Sequence, residues 1–268
     1  PILGLDPGLG EPARATGPLS ALWYLLFVPP LFFFTPDAPR RESVAAAARR
    51  GLADLARAIR GLVRQRSLTA YLLASMVYRD ALAALFTFGG IYAAGVLGWG
   101  AFQLGVFGIA AAGAGALGAW IGGRADRALG PKPVIVATIW LLILVCLVLL
   151  GTAPGQAAFV PVAAGSKAPD VTFFAAGALL GAAAGALQAA SRTLLVHQAE
   201  GRIESAQAFG LFALSGRATA FLGPAMIAAV TATTGSQRLG ISPILLLFVI
   251  GLGLLTWVKT GEPDEETA

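Results

Sequence analysis

What most constrains this chain is the repeated return of apolar runs about twenty residues long. A membrane-crossing helix needs about 20 predominantly apolar residues to cover a hydrocarbon core of about 30 Å. Seven stretches answer to that ruler, at roughly 18–34, 68–93, 101–122, 133–151, 171–196, 206–232 and 241–258. Pro29 and Pro30 interrupt the hydrogen bonding of the first. Composition agrees: 57% of residues are apolar and 12% charged, where a soluble domain carries about 25% charge. Disorder, which goes with low hydrophobicity and high net charge, is excluded. The expected fold class is all-α: a polytopic membrane protein with seven transmembrane helices.

The net charge of +5 would suggest nucleic acid in a soluble protein, but the basic residues are sorted by loop. On one side of the membrane fall Arg40, Arg41, Arg49, Arg50, Arg57, Arg60, Arg64 and Arg66, then Arg124, Arg127 and Lys132, then Arg202 and Lys259. The other side holds Arg14, Lys167 and Arg238. Thirteen against three predicts an external amino end and a cytoplasmic carboxyl end, because cytoplasmic loops hold the excess of Lys and Arg. The expected partners are the lipid bilayer and a small-molecule solute, with no nucleic acid.

Four parts follow. Residues 1–35 form an external segment and leading span, 36–66 a cytoplasmic linker, 67–260 a six-helix bundle and 261–268 an acidic cytoplasmic tail. Within the linker, Leu52, Leu55, Ile59 and Leu62 recur at helical spacing while Arg50, Arg57 and Arg64 share another face, predicting an amphipathic helix whose arginines meet anionic lipid. The six later spans read as two triplets, the three-plus-three plan of many transporters. Gly177, Gly181 and Gly185 lie four apart, as do Gly118 and Gly122. Such spacing lets helix backbones approach closely where lipid gives apolar side chains little reason to associate.

Chemistry is expected where polar groups enter the bilayer, since a central Arg or Asp costs about 2.5–3.5 kcal/mol on insertion scales. Arg79 and Asp80 fall near the middle of the second span and Arg217 at similar depth in the sixth. One arrangement has Asp80 exchanging between Arg217 and a proton, which frees Arg217 for a solute carboxylate; the alternative is a permanent ion pair that fixes helix register. Gln188 and Ser191 share a face of the fifth span and are candidates to hydrogen-bond solute. Arg192 either joins them or extends its head to the lipid surface, and Tyr78 is a further candidate. His197, the single histidine, falls at a span end and reads as interfacial. Gly223 and Pro224 predict a bend or gate.

Several segments then carry a family resemblance. GGRADRALGPK is similar to the cytoplasmic loop signature of the major facilitator superfamily, through Gly122, Asp126, Arg127, Gly130 and Lys132. It departs by one extra residue before Gly130 and by Pro131. YRDALAALFTFGGIYAAGVLG, GALQAASRTL, FGLFALSGRATAFLGP and TGSQRLGI resemble the bacterial branch of the vacuolar amino-acid effluxer family within that superfamily. The resemblance implies a twelve-span permease of the bacterial inner membrane, working by alternating access, proton-linked or facilitated. It makes this chain the sixth span and the carboxyl-terminal half, with a missing amino-terminal half as partner. Asp126 and Arg127 are then expected to brace helix ends and to set the balance of conformations.

Other classes fit less well. The last span offers no lysine for a retinal Schiff base, Ser215 lacks the first glycine of a GxSxG elbow, and the lone Cys146 permits neither an intrachain disulfide nor a multi-cysteine metal site. No cofactor and no enzyme activity are expected. The alternative function is a transport-inactive half-transporter serving as membrane scaffold or receptor-like bundle.

Overall fold

A computed structural model describes residues 11–35, 43–62 and 65–259. Residues 1–10, Arg40, Arg41, Arg64 and the tail at 261–268 lie outside the described residues. The chain divides into two units, Pro1–Leu52 and Ala53–Ala268.

In the first unit, α1 (Glu11–Phe27) is followed by α2 (Pro29–Phe34). The predicted interruption at Pro29 and Pro30 is mild. Both prolines sit in the first turn of α2, where a missing N–H costs nothing, and the Val28 N–H still donates to the Tyr24 carbonyl at 2.9 Å. Residues Arg14–Phe34 therefore qualify as one span, its apolar side chains exposed as lipid requires.

Helix α3 (Val44–Leu62) crosses the division. Within the second unit it turns Ala58 into the core, with Leu55 and Leu62 packed against it, while Ile59 stays exposed. The stripe predicted from the linker is thus partly taken up by protein.

The second unit continues with α4 (Arg66–Gly95), α5 (Ala101–Leu129), α6 (Pro131–Leu150), α7 (Ala168–Ala199), α8 (Ser205–Ala218), α9 (Leu222–Thr234) and α10 (Ser242–Leu255). Between α6 and α7 lies a feature the hydropathy does not announce, an antiparallel hairpin of β1 (Gln156–Ala157) and β2 (Val160–Pro161).

Two departures from the sequence reading concern the last spans. Residues Ser205–Thr234 are long and apolar enough to cross, but they form two helices, broken between Ala218 and Leu222. Pro224 is the cause: it has no N–H for the Ala220 carbonyl, and its ring crowds that carbonyl. The final apolar helix, Leu239–Leu255, is about 25 Å long at 1.5 Å per residue. Its end tightens into i→i−3 bonds, from Thr256 N to Gly253 O and Trp257 N to Leu254 O. The described residues thus hold six segments of spanning length, one of them broken into two helices, and this shorter one, where the sequence predicts seven full spans.

Helices α4 and α7 form the centre. α4 packs against α10, α8 and α9, and α7 packs against α5 and α6. Their buried faces supply Leu68, Tyr71, Tyr78, Leu85, Phe173, Leu187 and Leu194. The α5–α7 seam is made by the predicted small residues. A Cβ on Gly115 would come within 3.2 Å of the Gly181 carbonyl oxygen, and one on Gly118 would overlap the Ala182 carbonyl oxygen.

Opposite ends are tied differently. At one end the Ser67 hydroxyl donates to Gln198 Oε1 at 2.7 Å, Gln198 Nε2 donates to the Lys259 carbonyl at 2.7 Å, and Lys132 Nζ donates to the Val258 carbonyl. At the other the Tyr92 hydroxyl donates to the Thr152 carbonyl at 2.7 Å and Trp99 Nε1 to Asp170 Oδ1 at 2.6 Å.

The seam makes a sharp prediction. Gly118→Ala should destabilise the protein by about 1–3 kcal/mol through overpacking. Gly123→Ala in the same helix meets nothing within 4 Å and should be neutral or stabilising by about 0.5–1 kcal/mol. Thermal midpoints of the two purified variants decide it.

Candidate functional site

Arg79 lies half-buried near the middle of α4, where its charge has to be met by protein or water. Its Nη1 donates to the Phe212 carbonyl on α8 at 2.8 Å, and the guanidinium carbon sits 4.0 Å from the centroid of the Phe212 ring. Gly216, one turn on, makes room: a Cβ there would come within 2.8 Å of the guanidinium carbon. Carbonyl, aromatic face and missing side chain together form a seat in α8 for a cation brought by α4.

Beside this seat is a small cavity of about 40 Å³, enough for a few water molecules. Arg79, Gln188, Ser191 and Arg192 line it, with Leu82, Leu187 and Phe212 as its apolar walls. Four residues singled out from sequence thus converge on one space. Gln188 also lines a larger open groove of about 550 Å³ that runs along Phe86, Gly90, Gly181 and Gly185. Gln188 and Arg192 are exposed, whereas Ser191 is buried.

Ser191 is held by tyrosines. Its hydroxyl donates to the Leu187 carbonyl at 2.6 Å, and since a serine has one proton to give, Tyr78 is the donor in the 2.8 Å bond between their oxygens. The Tyr71 hydroxyl donates to the Ser191 carbonyl. Tyr78 therefore orients a cavity-lining residue and does not itself line the space.

Asp80 goes elsewhere. It is 4% exposed, and its carboxyl lies beside the Thr219 hydroxyl, with Arg79 as the neighbouring charge. The expected Asp80–Arg217 pair is not formed: Arg217 is exposed on α8, and the cation that influences Asp80 is its sequence neighbour. The reason is the break in the sixth span. Thr219 is the first residue beyond α8, and Gly223 lies against α4, where a Cβ would meet Ala84.

The loop-signature residues lie away from this cavity. Gly122 is buried against Ala186 of α7. Gly130 alone joins α5 to α6, at φ 83° and ψ 161°, a conformation essentially reserved for glycine. Asp126 Oδ1 is buried without a hydrogen-bond partner and Arg127 is exposed, while Lys132 of the same signature joins the ties at this end through the Val258 carbonyl.

Phe212, Tyr71 and Thr219 are the contributors that sequence reasoning did not single out. Tyr71 was legible, since it stands seven residues before Tyr78 on the same face of α4. Phe212 and Thr219 carry no signal of their own; an α8 facing Arg79 is what gives them a role. Among the described residues no cluster of side chains suited to a metal ion occurs.

A family model described as vacuole effluxer Atg22-like matches residues 13–267. No curated protein matches the chain.

Tyr78→Phe should cost about 1 kcal/mol, the worth of one buried hydrogen bond, and leave Ser191 free to re-aim. A shift of the thermal midpoint by several degrees is expected; an unchanged midpoint would show the bond to be idle.

Proposed function

Because the chain belongs to the vacuole effluxer Atg22-like family, whose members are membrane transporters and not enzymes, we propose that it moves a small polar solute by alternating access. The solute bears a carboxylate, as an amino acid does, and the direction is efflux. The observation that carries the reading is the mid-span cavity where Arg79, Arg192, Gln188 and Ser191 converge. Two guanidiniums can each grip a carboxylate through paired hydrogen bonds, and the side chains of Gln188 and Ser191 add directional contacts.

Asp80 is the coupling group. A carboxylate that is nearly sealed and placed beside the Thr219 hydroxyl is suited to gain and lose a proton as its surroundings open and close. Neutralised, it leaves Arg79 free to hold the solute; ionised, it competes for that cation. Arg217, exposed on the same broken span, is available to the solute in the opposite conformation. The break itself supports a moving element, because discontinuous helices recur at transporter binding sites.

The helix pairing supports a two-triplet plan of the major facilitator kind. The first helix of each triplet, α4 or α7, packs on the second and third helices of the other. Such a carrier includes a second six-helix half opposite the groove at Gln188. The imbalance of Lys and Arg between loops supports a cytoplasmic carboxyl end in a bacterial inner membrane.

Transport by the full-length protein in proteoliposomes tests this. Arg79→Gln should lower exchange roughly 10- to 100-fold, the equivalent of about 1.5–3 kcal/mol for a charge-assisted hydrogen bond. Asp80→Asn should retain exchange and lose its pH dependence. If both variants match the parent in rate and pH profile, this assignment of roles is wrong.

A further inference from the structure

Helix α3 carries arginines that take no part in lining the solute cavity, and its carboxyl end is fixed where a span begins. The Leu62 carbonyl accepts from the Gln65 N–H at 2.9 Å and from the Thr69 hydroxyl of α4. α4 starts at Arg66 and is 30 residues long, about 45 Å at 1.5 Å per residue. That is the full thickness of a bilayer with its headgroup layers. Arg66 and the last turns of α3 therefore lie at the headgroup level of one membrane surface.

The sequence pattern alone sends all the linker arginines to lipid; the docking of α3 sorts them. Ala58 is buried in the bundle, and Leu55 and Leu62 pack against the same core. At about 100° per residue, Ile59 then stands on one flank of the docked face, Arg57 on the other flank and Arg60 behind it. Ile59 is exposed although it is apolar. Arg57 is paired with Asp54, whereas Arg60 and Arg66 are exposed. An exposed apolar flank at headgroup depth, with a cation on the neighbouring sector, suits a helix lying in the interface: the flank meets the acyl boundary and the cation reaches the phosphates. We propose that α3 is a lipid latch, in which Ile59 enters the acyl boundary, Arg60 and Arg66 bind the phosphates of anionic phospholipid, and Arg57 with Asp54 faces away from the membrane. Charge selects the lipid, because an arginine is drawn to a surface of net negative charge. Protein holds α3 along one face, and lipid on the adjoining flank supports the rest.

The test reconstitutes the full chain in nanodiscs of phosphatidylcholine, alone or mixed with phosphatidylglycerol, and follows amide hydrogen exchange over residues 53–62. Exchange there should slow roughly tenfold in the anionic discs and recover in high salt, which screens exposed charge, while α7 exchanges alike in both lipids. Arg60→Gln combined with Arg66→Gln should erase the difference, and Arg57→Gln should leave it. Should the double variant fail to fold, Ile59→Ser, which keeps both charges, should speed exchange of the segment in the anionic discs. Equal exchange of 53–62 in the two lipids overturns the inference and leaves the arginine face to a protein partner. A difference that survives high salt overturns it too. So does one that Arg57→Gln abolishes and the Arg60 and Arg66 double variant retains.

Discussion

A guanidinium in the middle of an apolar bundle cannot shed its charge, so the fold must solvate it. Arg79 is solvated by α8: a backbone carbonyl accepts its hydrogen bond, the Phe212 ring lies under it, and Gly216 offers no side chain to push it away. Much of the surrounding geometry follows from that contact. It fixes the facing surfaces of α4 and α8, which sets the cavity between α4 and α7, which in turn brings Gln188, Ser191 and Arg192 to the same space. The tyrosine bonds to Ser191 reinforce the arrangement from behind.

The rest of the bundle is held mainly by the absence of side chains. In lipid, apolar residues gain little by leaving one apolar medium for another, and close backbone approach supplies dispersion contacts instead. The α5–α7 seam uses this at Gly115, Gly118 and Gly181. The α4–α9 contact uses it once, at Gly223. One seam is continuous, the other lies beside a helix interrupted by Pro224. The second unit thus has one side closed by a continuous seam and another beside a broken helix, and Asp80 lies next to that break.

How much of this could be read beforehand differs by feature. Gly118 and Gly181 were legible as packing residues because their spacing is itself the packing signal. Arg79, Gln188, Ser191 and Arg192 were legible as site candidates because polarity within an apolar run is costly and calls for an explanation. Their convergence was not, since helical spacing gives the face of one helix and says nothing of which neighbour it meets. Pairing Asp80 with Arg217 went astray for that reason: matching depth and opposite charge suggested contact, while the break after Ala218 turns the chain so that Thr219 meets Asp80 instead. Phe212 was invisible, an ordinary apolar residue until a cation lies on it.

Length and periodicity of the apolar runs determined that the chain is helical and suited to lipid, because a hydrocarbon core dictates element length and demands that backbone groups be satisfied within each element. Those are one-dimensional constraints, and the sequence holds them in full. The tertiary structure alone decided which arginine is seated on protein and which is exposed, and that the sixth span bends beside Asp80. Those outcomes depend on distances between residues far apart in the chain, which only packed helices bring together.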